Sequence, residues 1–218
     1  MIAVFLMFFS LWAQEGGQKR ERAFKPLKEY RMSDFNFNWK IRYLEMLSWE
    51  ADSKNGGDGF TVERGSRLEF AMKLGEMRIN YGLKMERFHI MEKLSRKSYF
   101  WKTPWPPSSL YGFTGILFID DTTPHFKAVS DLDDIKDMLG DIDSEAELSL
   151  WLRASGRGSF HSSSYLQTKD GYRVRFKGTD PFSCIYMEYF EYYDKRGKLL
   201  ETKILKKYRE KDCAEAVP

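Results

Sequence analysis

Two periods of apolar and polar positions divide this chain. From Ser130 to Ala154 the period is helical, and on either side of that stretch it is the period of strands. Ser130 can cap a first helical segment over residues 131–139, which Gly140 would stop. Ser144 followed by Glu147 makes a capping box, in which each side chain serves the other residue's amide. Beyond it, Leu148, Trp151 and Leu152 share one helical face, and that face needs a sheet to cover it.

Before this centre, Phe35, Phe37, Trp39, Ile41 and Tyr43 alternate with polar residues, which predicts a strand with one wet face, continuing toward Trp49. Residues 53–59 (SKNGGDG) have the composition of a turn. Two patterns then compete. Residues 69–97 are rich in helix formers, and Ser66 with Glu69 would suit a capping box. Yet Leu68, Phe70, Met72 and Leu74 alternate, as do Met77, Ile79, Tyr81, Leu83 and Met85, with one change of phase across Gly75 and Glu76. Asn80 and Gly82 weaken a helix interior, so the alternation predicts a hairpin. Residues 99–111 hold three prolines, which favours an extended crossing, and the apolar run 112–119 reads as a strand buried on both faces. In the last third, 165–168 and 172–177 flank a Lys-Asp-Gly turn, and 184–193 and 199–208 flank Asp-Lys-Arg-Gly.

Together these elements predict an α+β protein. A β-rich part (35–126) precedes a second part (127–213) made of the helical centre and a four-stranded antiparallel meander, with a short tail at 214–218. The second part resembles the general architecture of cystatin-like and NTF2-like folds, in which a curved sheet wraps a helix. The resemblance is one of layout and rests on no motif.

The first thirteen residues, MIAVFLMFFSLWA, form an apolar run ending in a small residue. At about 1.5 Å per residue they span roughly 20 Å, short of a bilayer core of about 30 Å. They read as a secretory signal at 1–13 with Gln14 as the new N-terminus, although no Lys or Arg precedes the run. The charged, aperiodic stretch 14–34 then reads as a flexible leader. The expected location is periplasmic or secreted, and after signal cleavage the protein would not be integral to a membrane. In an exported chain, the two cysteines, Cys184 and Cys213, are read as one disulfide.

Charge is uneven. Residues 120–150 carry ten acidic and two basic groups, whereas the flanks are basic and the whole chain carries a net +3. A nucleic-acid binder would concentrate its positive charge on one face, so nucleic acid is excluded as a partner class.

Catalytic chemistry is thin in the sequence. His89, His125 and His161 occupy unrelated local settings, and His161 lies in a serine-rich loop without a nucleophile elbow. The acidic run from Asp131 to Glu147 lacks the glycine and the bidentate glutamate of a calcium loop, and its placement suits helix N-termini instead. No metal or cofactor is expected. Two surfaces suit binding better. Arg173, Arg175 and Lys177 share one side of a strand, a stripe that fits an anionic ligand unless Glu188 or Glu201 neutralises it across the sheet. Trp101, Trp105 and Tyr111, set among prolines, can form an aromatic wall.

The expectation is therefore an exported, non-catalytic protein that binds another envelope or extracellular protein, or an anionic ligand, through an aromatic or basic surface. The alternative is a secreted hydrolase whose site is assembled only in three dimensions. An outer-membrane barrel is disfavoured by a 31% charged composition and because too few strands reach the roughly 10 residues a barrel strand needs.

Overall fold

The structure is a computed structural model that describes residues 20–50, 67–77, 80–95, 111–157, 163–180 and 184–210. In chain order the strands are β1 (Arg22–Ala23), β2 (Ile41–Glu50), β3 (Arg67–Leu74), β4 (Tyr111–Asp120), β5 (Lys127–Val129), β6 (Ser164–Gln167), β7 (Gly171–Asp180), β8 (Ile185–Asp194) and β9 (Leu199–Arg209). The helices are α1 (Tyr81–Ser95), α2 (Leu132–Leu139) and α3 (Glu145–Ala154), and two single 3-10 turns, Leu27–Glu29 and Met32–Asp34, precede β2. The strands form two antiparallel sheets, β3-β2-β4-β5 and β1-β6-β7-β8-β9, and the second contains the expected meander. The molecule is α+β.

The helical centre behaves as its residues dictate. Glu147 donates its amide to Ser144 Oγ at 3.1 Å while its carboxylate takes the Ser144 amide at 3.0 Å, so the capping box is closed. Gly140 ends α2 with φ +69°, a left-handed conformation that favours glycine. The cap of α2 is Asp131 rather than Ser130, since its carboxylate accepts the Asp133 amide at 2.8 Å and the helix starts one residue later than expected. In α3 the buried set extends beyond Leu148, Trp151 and Leu152 to Ala146, Glu147, Leu150 and Ala154. A helix covered nearly all round has neighbours on two sides. One core indeed joins Leu44, Met46, Ile116 and Phe118 of the first sheet, the apolar residues of α2 and α3, and Tyr172, Val174, Phe176, Tyr189 and Tyr193 of the second.

β4 is buried on both faces, as its apolar run implies. Ile116 and Phe118 enter that shared core, while Leu117 and Ile119 join Tyr43, Leu94 and Phe126 in a smaller one under α1. The boundary expected between 126 and 127 falls just before β5, which pairs with β4 and so completes the first sheet.

The expected hairpin over 68–85 is half right. β3 forms and pairs with β2, but the chain from Tyr81 onward is the helix α1. Asn80 decides the matter locally, because its side chain accepts the Leu83 amide at 2.9 Å and its carbonyl accepts that of Lys84 at 3.0 Å. Leu83, Glu86, Arg87, Ile90, Met91 and Leu94 are sheltered positions of α1, a helical spacing that the alternation of apolar residues concealed.

A second correction concerns 35–43. The strand begins only at Ile41. Upstream, the Asn38 amide donates to the Met138 carbonyl at 2.8 Å and the Asn36 amide to Glu147 at 2.6 Å, so the backbone is held by helix ends and not by a ladder. Phe35, Phe37 and Trp39 still pack on the core, which is why the sequence alternates there. The described part of the expected flexible leader is also anchored. Arg22 and Ala23 pair with Tyr165 and Ser164, and Glu145 accepts from the Lys25 amide at 3.0 Å and the Tyr30 hydroxyl at 2.7 Å. The signal stretch 1–13, the turn 53–59 and the tail 214–218 lie outside the described residues.

Candidate functional site

The five-stranded sheet has two chemically different sides. Directly opposed residues of an antiparallel pair lie on the same face. Val174 opposes Glu191, Phe176 opposes Tyr189 and Tyr172 opposes Tyr193, which defines the inner face against α3. On the outer face Arg173 opposes Tyr192, Arg175 opposes Phe190 and Lys177 opposes Glu188; Tyr192, Phe190 and Glu188 in turn oppose Glu201, Lys203 and Lys206 of β9. Tyr186, Phe190 and Tyr192 belong to neither apolar core. The outer face is therefore an aromatic row flanked by cations.

Arg173 and Arg175 are held in place. Glu21 sits beside both, its carboxylate 2.8 Å from Arg173 and 3.4 Å from Arg175, and it also accepts the Ser164 hydroxyl at 3.2 Å. Arg175 donates to Glu188 at 2.8 Å, and Lys206 stands 3.8 Å from the other Glu188 oxygen. The Arg175 hydrogen bond, outweighing the opposing effect of burial, holds the Glu188 carboxyl below its ordinary range, and Glu188 raises Arg175 in return. The Arg173 guanidinium lies 4.5 Å over the Phe190 ring, and Tyr186 stacks on Tyr208 with ring centres 4.9 Å apart. The neutralisation by Glu188 foreseen from the sequence is present. Glu21 was not foreseen, since nothing near it signals a partner some 150 residues away. Five cations against three carboxylates still leave this face positive.

Of the expected aromatic wall only Tyr111 falls among the described residues. Trp101 and Trp105 are outside the described residues, and Tyr111 enters only as the first backbone residue of β4, paired with Glu50. The structure therefore brings Arg173, Arg175 and Lys177 together on the outer face.

Two buried carboxylates escaped the sequence reading. Glu191, fully buried, accepts the Tyr193 hydroxyl and pairs with Arg157 at 2.9 Å. Burial pushes it above the ordinary carboxylate range, against the Tyr193 hydrogen bond and the Arg157 charge, and burial likewise raises Tyr193. Glu45, equally sheltered, accepts the Tyr43 hydroxyl and the Arg87 guanidinium at 2.7 Å. Both are closed clusters whose carboxylates are shut from solvent. Their sequence signal is weak: a Glu two residues before or after a Tyr on the same strand face. His125 meets Glu86 at 3.3 Å on the surface, and His161 lies outside the described residues. Among the described residues no group of three or more His, Cys, Asp or Glu is placed to hold a metal ion.

Cys184 is buried and immediately precedes β8, with φ +56°, while Cys213 lies outside the described residues. The Glu210 amide donates to the Cys184 carbonyl at 2.9 Å. Irregularities in the β8–β9 pairing at Glu188/Tyr189 and Tyr192/Tyr193 shift the register toward the C-terminus. No helix of the described residues is long and apolar enough to cross a membrane. Compared with known protein families, curated proteins and solved structures, the chain matches none of them.

Proposed function

We propose that this is an exported, non-catalytic protein that binds an anionic component of the cell envelope through the outer face of the five-stranded sheet. One observation carries the reading. Tyr186, Phe190 and Tyr192 form an aromatic row outside both cores, and Arg173, Arg175, Lys177, Lys203 and Lys206 flank it. Aromatic rings beside pinned guanidinium groups present flat apolar area with fixed positive charge, which suits an acidic partner surface. The test compares the wild type with a Tyr192→Ala/Lys203→Glu/Lys206→Glu variant in pull-downs from envelope extracts, at low and high salt. Wild type should retain a salt-sensitive partner that the variant loses. An identical bound set for both proteins refutes the reading.

Export rests on the apolar run ending at Ala13, and mass spectrometry of the native protein should find an N-terminus at or near Gln14. An intact Met1 in a cytoplasmic fraction removes it. A Cys184–Cys213 disulfide belongs to the same reading. The Glu210 contact brings the chain beside Cys184, and Cys213 follows three residues later, a span of at most ~11 Å. Bridging would close a loop of about 30 residues, worth ~3.5 kcal/mol in the chain-entropy model. Thiol titration of the unfolded, unreduced protein should find no free thiol and a monomer mass; two free thiols end the claim.

A further inference from the structure

β9 is the last strand of its sheet, and every one of its eleven residues is exposed. Edge strands ordinarily hide behind charges or short length. This one carries charges at Glu201, Lys203, Lys206, Lys207 and Arg209, yet it also exposes Leu199, Leu200, Ile204, Leu205 and Tyr208 by 37–60%. The cover provided by α3 ends at β8, where Tyr189 is buried; its neighbour across the ladder, Ile204, is not.

The order of residues in β9 points to the occupant. Residues 199–205 read LLETKIL, a sequence with mirror symmetry about Thr202. Leu199 mirrors Leu205, Leu200 mirrors Ile204, and Glu201 mirrors Lys203 with the opposite charge. We propose that β9 pairs antiparallel with β9 of a second copy about a two-fold axis at Thr202, joining two five-stranded sheets into one of ten strands. In that register apolar residues meet apolar residues, threonine meets threonine, and each copy's Glu201 meets the Lys203 of the other, all favourable cross-strand pairs. Glu201 and Lys203 both lie on the outer face, opposite Tyr192 and Phe190, so the mirrored charges are on the same side of the joined sheet. The neighbouring two-fold registers are worse. An axis at Lys203 sets lysine against lysine, and one at Ile204 sets Leu199 against Arg209 and Thr202 against Lys206. An acidic segment of another protein would satisfy the lysines, but it leaves the mirrored order of apolar residues without a purpose. The pairing also makes the outer faces of both copies one continuous surface.

The test uses charge exchange. Sedimentation velocity of the purified protein should show a concentration-dependent dimer. In Glu201→Lys both cross-strand pairs become lysine against lysine, and in Lys203→Glu both become glutamate against glutamate. Each variant alone should dissociate about tenfold more readily, the scale of two repulsive pairs. Mixed in equal amounts, the two variants restore both opposite-charge pairs and should associate with each other about as well as the wild type. Both positions are exposed, so an unchanged circular-dichroism spectrum, with unfolding midpoints that match the wild type at concentrations where all are monomeric, will show that the variants fold. A wild type that stays monomeric to roughly 100 μM overturns the proposal and leaves the edge to another chain. A dimer indifferent to both variants, or a mixture that fails to associate, overturns it equally.

Discussion

Removing the Glu147 side chain tests how the N-terminal segment is fastened to the helical centre. Its carboxylate accepts three backbone amides: Asn36 at 2.6 Å, Asp143 at 2.7 Å and Ser144 at 3.0 Å. Asp143 is exposed, and its amide can turn to water at little cost. The Ser144 bond is the returning half of the capping box and contributes about 1 kcal/mol. The Asn36 bond is short, charge-assisted and half-buried, of the kind worth roughly 1.5–3 kcal/mol. Glu147→Ala should therefore cost about 2.5–4 kcal/mol in all, which for a chain of this length lowers the melting temperature by roughly 5–16 °C. Ser144→Ala loses only the other half of the box and should cost about 1 kcal/mol. Urea midpoints give the two costs, and hydrogen exchange at Asn36 and Asn38 gives the location. Those two amides should exchange faster in Glu147→Ala and stay protected in Ser144→Ala. If the two variants lose equal stability, or if exchange at Asn36 does not change, Glu147 only caps its own helix and the fastening argument fails.

Trp151→Ala should cost about 3–5 kcal/mol by denaturation, because it empties core volume and removes the Nε1 donor to the Gly197 carbonyl at 2.8 Å. A cost below that of Ser144→Ala would show that α3 is not central to the core. Gly197→Ala should be as damaging as a core deletion, since the glycine has φ +72° and an added Cβ would lie 2.6 Å from Trp151 Nε1; an unchanged melting temperature would refute this. Burial raises the Glu145 carboxyl, but hydrogen bonds from Tyr30, the Lys25 amide and Tyr165 outweigh it and hold the group below its ordinary range. A depressed carboxyl stabilises the fold above its unfolded value, and that contribution disappears as pH falls through the folded value. Acid should thus expose the 22–30 segment to limited proteolysis before global unfolding, and Glu145→Gln should flatten this dependence.

The elements legible in the sequence are those whose signals are local. The Ser144–Glu147 box, the Gly140 stop and the turn at Asp194 to Gly197 each act within a few residues, and each is where it was expected. Alternation was less faithful. At 35–39 it records a segment that faces the core without a ladder, and at 81–85 it coincides with a helix that Asn80 starts. Of the candidate site, the arginine stripe was legible because β7 alternates cleanly. Its partner Glu21 was not, because cross-sheet contacts leave no trace in local pattern. The irregularities that shift β9 against β8 were equally hidden, and with them the true neighbour of Cys184.

The pairing of Arg22 and Ala23 with Tyr165 and Ser164 bears on the order in which the protein folds. The contact bridges some 140 residues of chain, yet it is only two residues long. Hairpins such as β7–β8 form within microseconds because their arms adjoin, whereas closing so large a loop exacts its entropy before a short strand returns any of it. β1 should thus dock late in folding and leave early in unfolding. Glu21, next to it in the chain, should leave with it, so that the native spacing of Arg173 and Arg175 on the outer face is completed late.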